Sequence, residues 1–252
     1  MTAPAETEAT HGASNSIHTR RLRLVGGRVA TGAGAAVRAD IEILDGRIRK
    51  ISDPSEGESR PGTKTSPAAI DLRGYLILPG LINAHDHLEF NLFPRLGRGP
   101  YANYKAWAED IYQPGESPLR ENLAVPKAVR LWWGGLKNLF AGVTTVCHHN
   151  AYVPEVFDND FPVRVVKQFA WSHSLEFGKN PKEESSAASK DVPFVIHLGE
   201  GTDLESAQEI FALRNLEALN SSTVIVHGVA LDKQGKALLE ESGAALVWCP
   251  TS

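Results

Sequence analysis

"VPFVIHLGEGTDLESAQEIFALRNLEALNSSTVIVHGVAL", residues 192–231, contains two short apolar runs, PFVIH and TVIVH, on either side of a helix-length segment. Neither run alternates apolar with polar residues, so both faces of each strand are expected to be buried. The segment between them opens with Thr202 and Glu205 at capping-box spacing, which predicts a helix over TDLESAQEIFALRNL. Strand, helix and strand in that order imply a parallel sheet covered by helices, as in an α/β barrel or a doubly wound fold.

The same rhythm extends in both directions. Downstream, DKQGKALLEES reads as a helix stopped by Gly243, and AALVWCPTS as a last strand. Upstream, VTTVCHHN is a β-branched strand, and FPVRVVKQFAWSHS has extended character. VPKAVRLWWGGLKNLFAG places Val129, Trp132, Trp133, Leu136, Leu139 and Phe140 on one helical face, with Gly142 suited to the C-terminal cap. Before Pro79 the period changes to two. RLVGGRVATG, VRADIEILDGRIRKI and AIDLRGYLIL alternate, and the Asp45-Gly46 pair is a hairpin signal. A small antiparallel β-module is therefore expected over residues 22–76 and a separate α/β domain over 77–252. Residues 1–21 are small and polar and read as a disordered tail that includes His11 and His18, and residues 53–67 form a Pro/Ser/Glu-rich loop.

Composition narrows the function classes. A formal charge of −4, from 26 basic and 30 acidic residues without a basic run, provides no electrostatic footprint for nucleic acid, so a small-molecule substrate is the default. Two cysteines are too few for a disulfide framework, which suits a reducing compartment. No apolar segment approaches the length of a membrane span or a signal-peptide core, so a cytoplasmic, membrane-free protein is expected. Oligomeric state is not encoded in these features.

The histidines carry the chemistry. Side chains alternate across a strand, so His85 and His87 in LPGLINAHDHLEF project from one face and Asp86 from the other. His197 ends PFVIH and His227 ends TVIVH, and in a (β/α) barrel such strand ends surround one mouth. Imidazoles converging in this way suit Zn or Fe(II) in an open catalytic site. Glu200, three residues after His197, is placed to carry protons for metal-assisted hydrolysis, or alternatively to complement a helix dipole. Taken singly, His149 and His173 read as hydrogen-bonded core residues. Beside the others, Glu89, His149, Trp171 and His173 are candidate substrate contacts, Glu89 also being suited to orient an imidazole.

LPGLINAHDH, GVTTV, HLGEG, VIVHG and LVWCPTS, in this order, resemble the metal-dependent amidohydrolase superfamily, specifically its cytosine deaminase-like and chlorohydrolase-like branch. The resemblance runs from about Leu22 to Ser252. It implies a (β/α)8 TIM-type barrel with a β-sandwich built from both termini, and one divalent metal ion, Zn or Fe. It also implies that His85, His87 and His197 are metal ligands and that Glu200 and His227 are catalytic. The activity implied is hydrolysis of a non-peptide carbon–nitrogen bond: deamination, or dechlorination, of a small N-heterocycle by activated water, with Glu200 protonating the leaving group. A carboxylated lysine typical of two-metal relatives has no counterpart at a strand end, Lys167 lying inside RVVKQFAW, which favours a single ion. The family's remaining ligand is an aspartate ending an eighth strand, whereas residues 75–252, 178 in number (252 − 75 + 1), end near strand seven of a fold that takes about 250. The chain is thus expected to be the N-terminal portion of a longer hydrolase. A two-metal cyclic amidase and a catalytically incompetent fragment are the alternatives.

Overall fold

The change of sequence rhythm at Pro79 coincides with a division of the chain into two units, between Pro79 and Gly80. The computed structural model describes residues 21–54, 68–188 and 191–251. The expected tail up to residue 20, with His11 and His18, and residues 55–67 of the expected loop lie outside the described residues.

In the first unit, β1 (Arg21–Val29), β2 (Val37–Leu44), β3 (Arg47–Ser52), β4 (Ala68–Asp71) and β5 (Leu76–Ile77) form one sheet. Strand β1 therefore starts at Arg21, inside the expected tail. Asp45 and Gly46, at φ 50° and 74°, connect β2 to β3, with Leu44 opposite Arg47. Positive φ at both central residues matches the right-handed twist of the flanking strands, which is why Asp-Gly signals this turn. β1, β2 and β3 pair antiparallel, but β4 and β5 both pair parallel to β1. The fully antiparallel module expected from the alternation is thus corrected to a mixed sheet, because period two reports which face is buried and not the direction of the neighbour. At Gly26 (φ 73°) a bulge shifts the β1–β2 register, and the freed Gly26 N–H donates to the buried Asp40 carboxylate at 2.9 Å. Val29, Ala39 and Ile41 form the small core.

The second unit is α/β with two parallel sheets. Strand β6 (Leu81–Asp86) leads through a 3-10 turn (Leu88–Phe90) and a long loop carrying α1 (Tyr104–Ile111) and α2 (Leu119–Ala124) into α3 (Lys127–Phe140). β7 (Val143–His148), α4 (Pro154–Phe157) and β8 (Arg164–Val165) follow, and β6, β7 and β8 pair in that order. The second sheet has the order β12-β11-β10-β9, from β9 (Ala170–Ser172), β10 (Phe194–Leu198), β11 (Thr223–His227) and β12 (Ala245–Val247). Between its strands run α5 (Pro181–Ala187), α6 (Leu204–Asn215) and α7 (Lys233–Ser242). The extended stretch FPVRVVKQFAWSHS thus splits into β8 and β9, one strand in each sheet.

All five residues of β10 are buried, as its unbroken apolar run requires. Phe194, Ile196 and Ile225 pack against Ile210 and Leu213 of α6. Each fully buried apolar side chain of this kind contributes about 1.5–3 kcal/mol. Leu88, Leu131, Val146 and Val165 are in the core beside the first sheet. Gly243 ends α7 in the left-handed region at φ 69°, as its position suggests.

Two helical expectations are corrected. On α3 the inward stripe is Leu131, Gly134, Gly135 and Asn138, while Val129, Trp133, Leu139 and Phe140 are exposed. Side-chain size misleads here. A Cβ on Gly134 would lie 2.3 Å from the Leu88 carbonyl oxygen and one on Gly135 2.7 Å from the Phe161 ring, so the glycines let the helix backbone approach its neighbours. On α6 the cap is Asp203, whose carboxylate accepts the Ser206 N–H at 2.9 Å, and not Thr202. Thr202 is tied to the loop before α1 instead, its N–H donating to the Ala102 carbonyl at 2.8 Å and its hydroxyl to the same carbonyl at 3.5 Å.

Gly134→Ala should therefore destabilise the second unit by about 1–3 kcal/mol, the usual cost of forcing a methyl group into a packed contact, despite the better helix propensity of alanine. Urea denaturation checks this. A midpoint equal to or above wild type would show that α3 does not depend on the close approach.

Candidate metal centre

Parallel pairing within each sheet sends the strand ends of each sheet the same way, and four histidines meet there. His85 lies near the end of β6 and His87 just beyond it; His149 follows β7; His197 lies in β10. One ring nitrogen from each falls within 4.8 Å of the others. His197 Nε2 is the hub, at 3.2 Å from His85 Nε2, 3.3 Å from His87 Nε2 and 3.1 Å from His149 Nδ1. His197 Nδ1 donates to the His173 backbone carbonyl at 2.7 Å, so its Nε2 presents a lone pair to the cluster.

Burial, with the neighbouring imidazoles adding to it, depresses the basicity of every member. His85 falls to about 2, His87 to about 4 and His149 to about 3, and His197 falls far below the usual histidine range. All four are neutral imidazoles at neutral pH. His85 Nδ1, His87 Nδ1 and His149 Nε2 are buried without a protein partner. Neutral nitrogen donors converging on one point suit a borderline divalent cation. The residues present thus fit a divalent metal.

Beside the cluster, His227 ends β11 with φ 80°, a left-handed conformation that is strained for a residue with a Cβ. Its Nε2 is 3.4 Å from Glu200 Oε2. Burial lowers His227 to about 4 and raises Glu200 to about 7, the latter helped by the charge of Glu209. Burial thus disfavours the charged form of both groups.

The sequence-predicted residues thus divide. His85, His87 and His197 come together as expected, and Glu200 and His227 form a neighbouring pair. His149, expected as a substrate contact, supplies the fourth nitrogen. The tandem pair His148-His149 held that signal, since alternation must turn one of two successive histidines toward the cluster. His148 takes the other side, where its Nδ1 accepts the Leu88 N–H at 3.3 Å. His173 has its ring 4.6 Å from that of His197, and Trp171 is edge-on to His149 at 5.5 Å. The Glu89 carboxylate faces Lys127 at 3.4 Å and His148 at 3.6 Å. Burial works to raise its pKa, but His148, with further hydrogen bonds and Lys127, holds it below the usual carboxylate range. Lys167 is engaged at the surface, 2.6 Å from Asp158.

No family model matches the chain. It is 27% identical to a 5-methylthioadenosine/S-adenosylhomocysteine deaminase of Halobacterium salinarum, over 87% of this chain and 61% of the relative. The enzyme of the same name from Pyrococcus furiosus is 22% identical over 86% of this chain and 60% of its own length. Among solved structures, a triazine hydrolase from Arthrobacter aurescens superposes with a TM-score of 0.64 at 17% identity, covering 92% of this chain and 65% of that one. An adenosine deaminase from Xanthomonas campestris with bound zinc superposes with a TM-score of 0.59 at 16% identity, covering 91% and 62%. These solved structures share the fold of the chain over about nine-tenths of its length. It spans about three-fifths of the length of the curated relatives. Among the described residues no helix is long and apolar enough to cross a membrane.

The depressed histidines make a stability prediction. Once unfolded, each titrates near 6.5, so below that pH the unfolded chain binds more protons than the folded one and stability falls with the pH. Glu200 and Glu209, raised to about 7 and about 6, act in the opposite sense above pH 4.5, but they are two groups against seven lowered histidines, His148, His173 and His197 included. The urea midpoint of the metal-free protein should drop steadily from pH 7 to pH 5. A midpoint that is level or rises over this interval would show that the imidazoles are not held neutral.

Proposed function

We propose that the chain belongs to a metal-dependent hydrolase of non-peptide carbon–nitrogen bonds that deaminates an amino-substituted N-heterocycle of the adenine-nucleoside kind. The second unit is read as seven strands of a (β/α)8 barrel and the first as part of its accompanying β-sandwich. The observation that carries the functional reading is the convergence of four neutral imidazole nitrogens within 4.8 Å beside the Glu200–His227 pair. The relatives support it, two being named as deaminases of 5-methylthioadenosine and S-adenosylhomocysteine. Dechlorination of a related heterocycle follows the same chemistry with a different leaving group.

His85, His87, His149 and His197 would hold one divalent ion, zinc or iron. When bound, the ion supplies the Lewis acidity that makes water a nucleophile at neutral pH. Engagement of Lys167 with Asp158 favours a single ion, since that amine has a partner at the surface. Glu200 moves the protons. With its carboxyl brought to about 7, it is poised both to accept a proton from the attacking water and to return it to the departing nitrogen. His227 Nε2, 3.4 Å away, holds that carboxyl toward the cluster side. Trp171, edge-on to His149, offers an aromatic wall against which a flat heterocycle can rest.

Metal analysis and ammonia release test the reading separately. The purified protein should bind about one zinc ion per chain, and H85A should lose most of it. Ammonia release from 5-methylthioadenosine should fall about 10²- to 10⁴-fold in E200Q while zinc content is retained, the range typical of removing a general acid–base group. Wild-type protein that binds no divalent metal, or E200Q with undiminished turnover, would sink the proposal.

A further inference from the structure

Glu200 sits on a turn gripped from both sides, and one of the gripping groups is a buried carboxylate that the chemistry above does not use. Glu209, on α6, is 9% exposed, and its Oε2 accepts the Gly199 backbone N–H at 2.6 Å. Gly199 lies immediately before Glu200 and has φ 64°, the left-handed bend by which the chain leaves β10. A Cβ on Gly199 would be 3.4 Å from the Gly228 Cα, so this turn packs on the one that follows His227. The Gly199 carbonyl accepts the Ala230 N–H at 3.0 Å. On the other side of Glu200, its own carbonyl accepts the Tyr104 N–H at 3.0 Å, and Asn103 forms a β-bridge with Gly201.

A carboxylate is an expensive way to satisfy one amide. Burial raises Glu209 to about 6, against the Gly199 hydrogen bond and the charge of Lys105, which lower it; Glu205 and Glu176 also face this region. In return, a charged acceptor binds an N–H roughly twice as strongly as a neutral one and holds it in a fixed direction. The clamped amide is one peptide from the residue that must meet the substrate.

We propose that Glu209 is a positioning residue: its carboxylate oxygen, through the Gly199 amide, holds the turn that presents Glu200 to the substrate. The inference rests on the reading of Glu200 as the proton carrier. The deciding comparison is between E209Q, which keeps the length and an acceptor oxygen but loses the charge, and E209D, which keeps the charge but withdraws the oxygen by one methylene.

In metal-free protein labelled with ¹⁵N-glycine, the wild-type Gly199 amide should be shifted downfield and protected from exchange. E209Q, with a neutral acceptor still in place, should move it partway upfield, and E209D should move it further and speed its exchange most. With zinc bound and 5-methylthioadenosine as substrate, E209D should lower kcat about 10- to 100-fold at unchanged KM and zinc content, with E209Q retaining most of the activity. A freely exchanging Gly199 amide in wild type, an unchanged signal or kcat in E209D, or a reversed ranking of the two variants overturns the proposal. Absence of turnover in the wild type counts against the proposed function alone, and the Gly199 amide then still decides whether Glu209 holds the turn.

Discussion

Four neutral imidazole nitrogens within 4.8 Å, three of them 3.1–3.3 Å from His197 Nε2, form an arrangement that opposes itself when no cation is bound. Their lone pairs face one another, protonation of any one is resisted by burial and by the rest, and several of the remaining ring nitrogens have no protein partner. Such a cluster persists only where the surrounding fold over-determines it. In this protein the two parallel sheets provide that framework, since one contributes His85, His87 and His149 and the other contributes His197.

The supports are visible in detail. The His173 carbonyl fixes the tautomer of the hub histidine. Asp86, between His85 and His87, turns away from the cluster and accepts hydrogen bonds from Asn83, Asn91 and Asn138 at 2.7–3.1 Å. This anchors the strand to α3, whose glycine stripe lets the helix lie against the turn that follows His87. Around Glu200, the long loop after β6 and the Glu209 carboxylate grip neighbouring peptides. The metal binding and proton transfer proposed above would therefore draw on the same few backbone positions, and a change in any of these supports would be transmitted to that chemistry without touching a reacting atom.

Much of this was legible before any coordinates. The apolar runs of β10 and β11, the Asp45-Gly46 turn and the stop at Gly243 follow from local periodicity and stereochemistry, whereas the convergence of His85, His87 and His197 was expected only once a barrel was assumed. The failures share a cause. The inner face of α3 was misread because periodicity weights large apolar residues, whereas this helix is packed through Gly134 and Gly135. The direction of β4 and β5, the displacement of the α6 cap from Thr202 to Asp203, and the role of His149 each depended on a neighbour far away in sequence. Glu209 gave no signal, since a glutamate in a helix reads as a solvated charge until its burial is known.

By itself, then, the sequence determined the longer strands, the helices α3, α6 and α7, and which residue types stand at the strand ends, because these are set by interactions spanning a few residues. Only the tertiary structure decided which nitrogens share a point in space, which histidine faces the cluster and which faces the core, and which titratable groups burial drives toward neutrality. Those properties depend on burial and on charges brought within a few ångströms by parallel pairing of strands that are dozens of residues apart, and no local pattern encodes such distances.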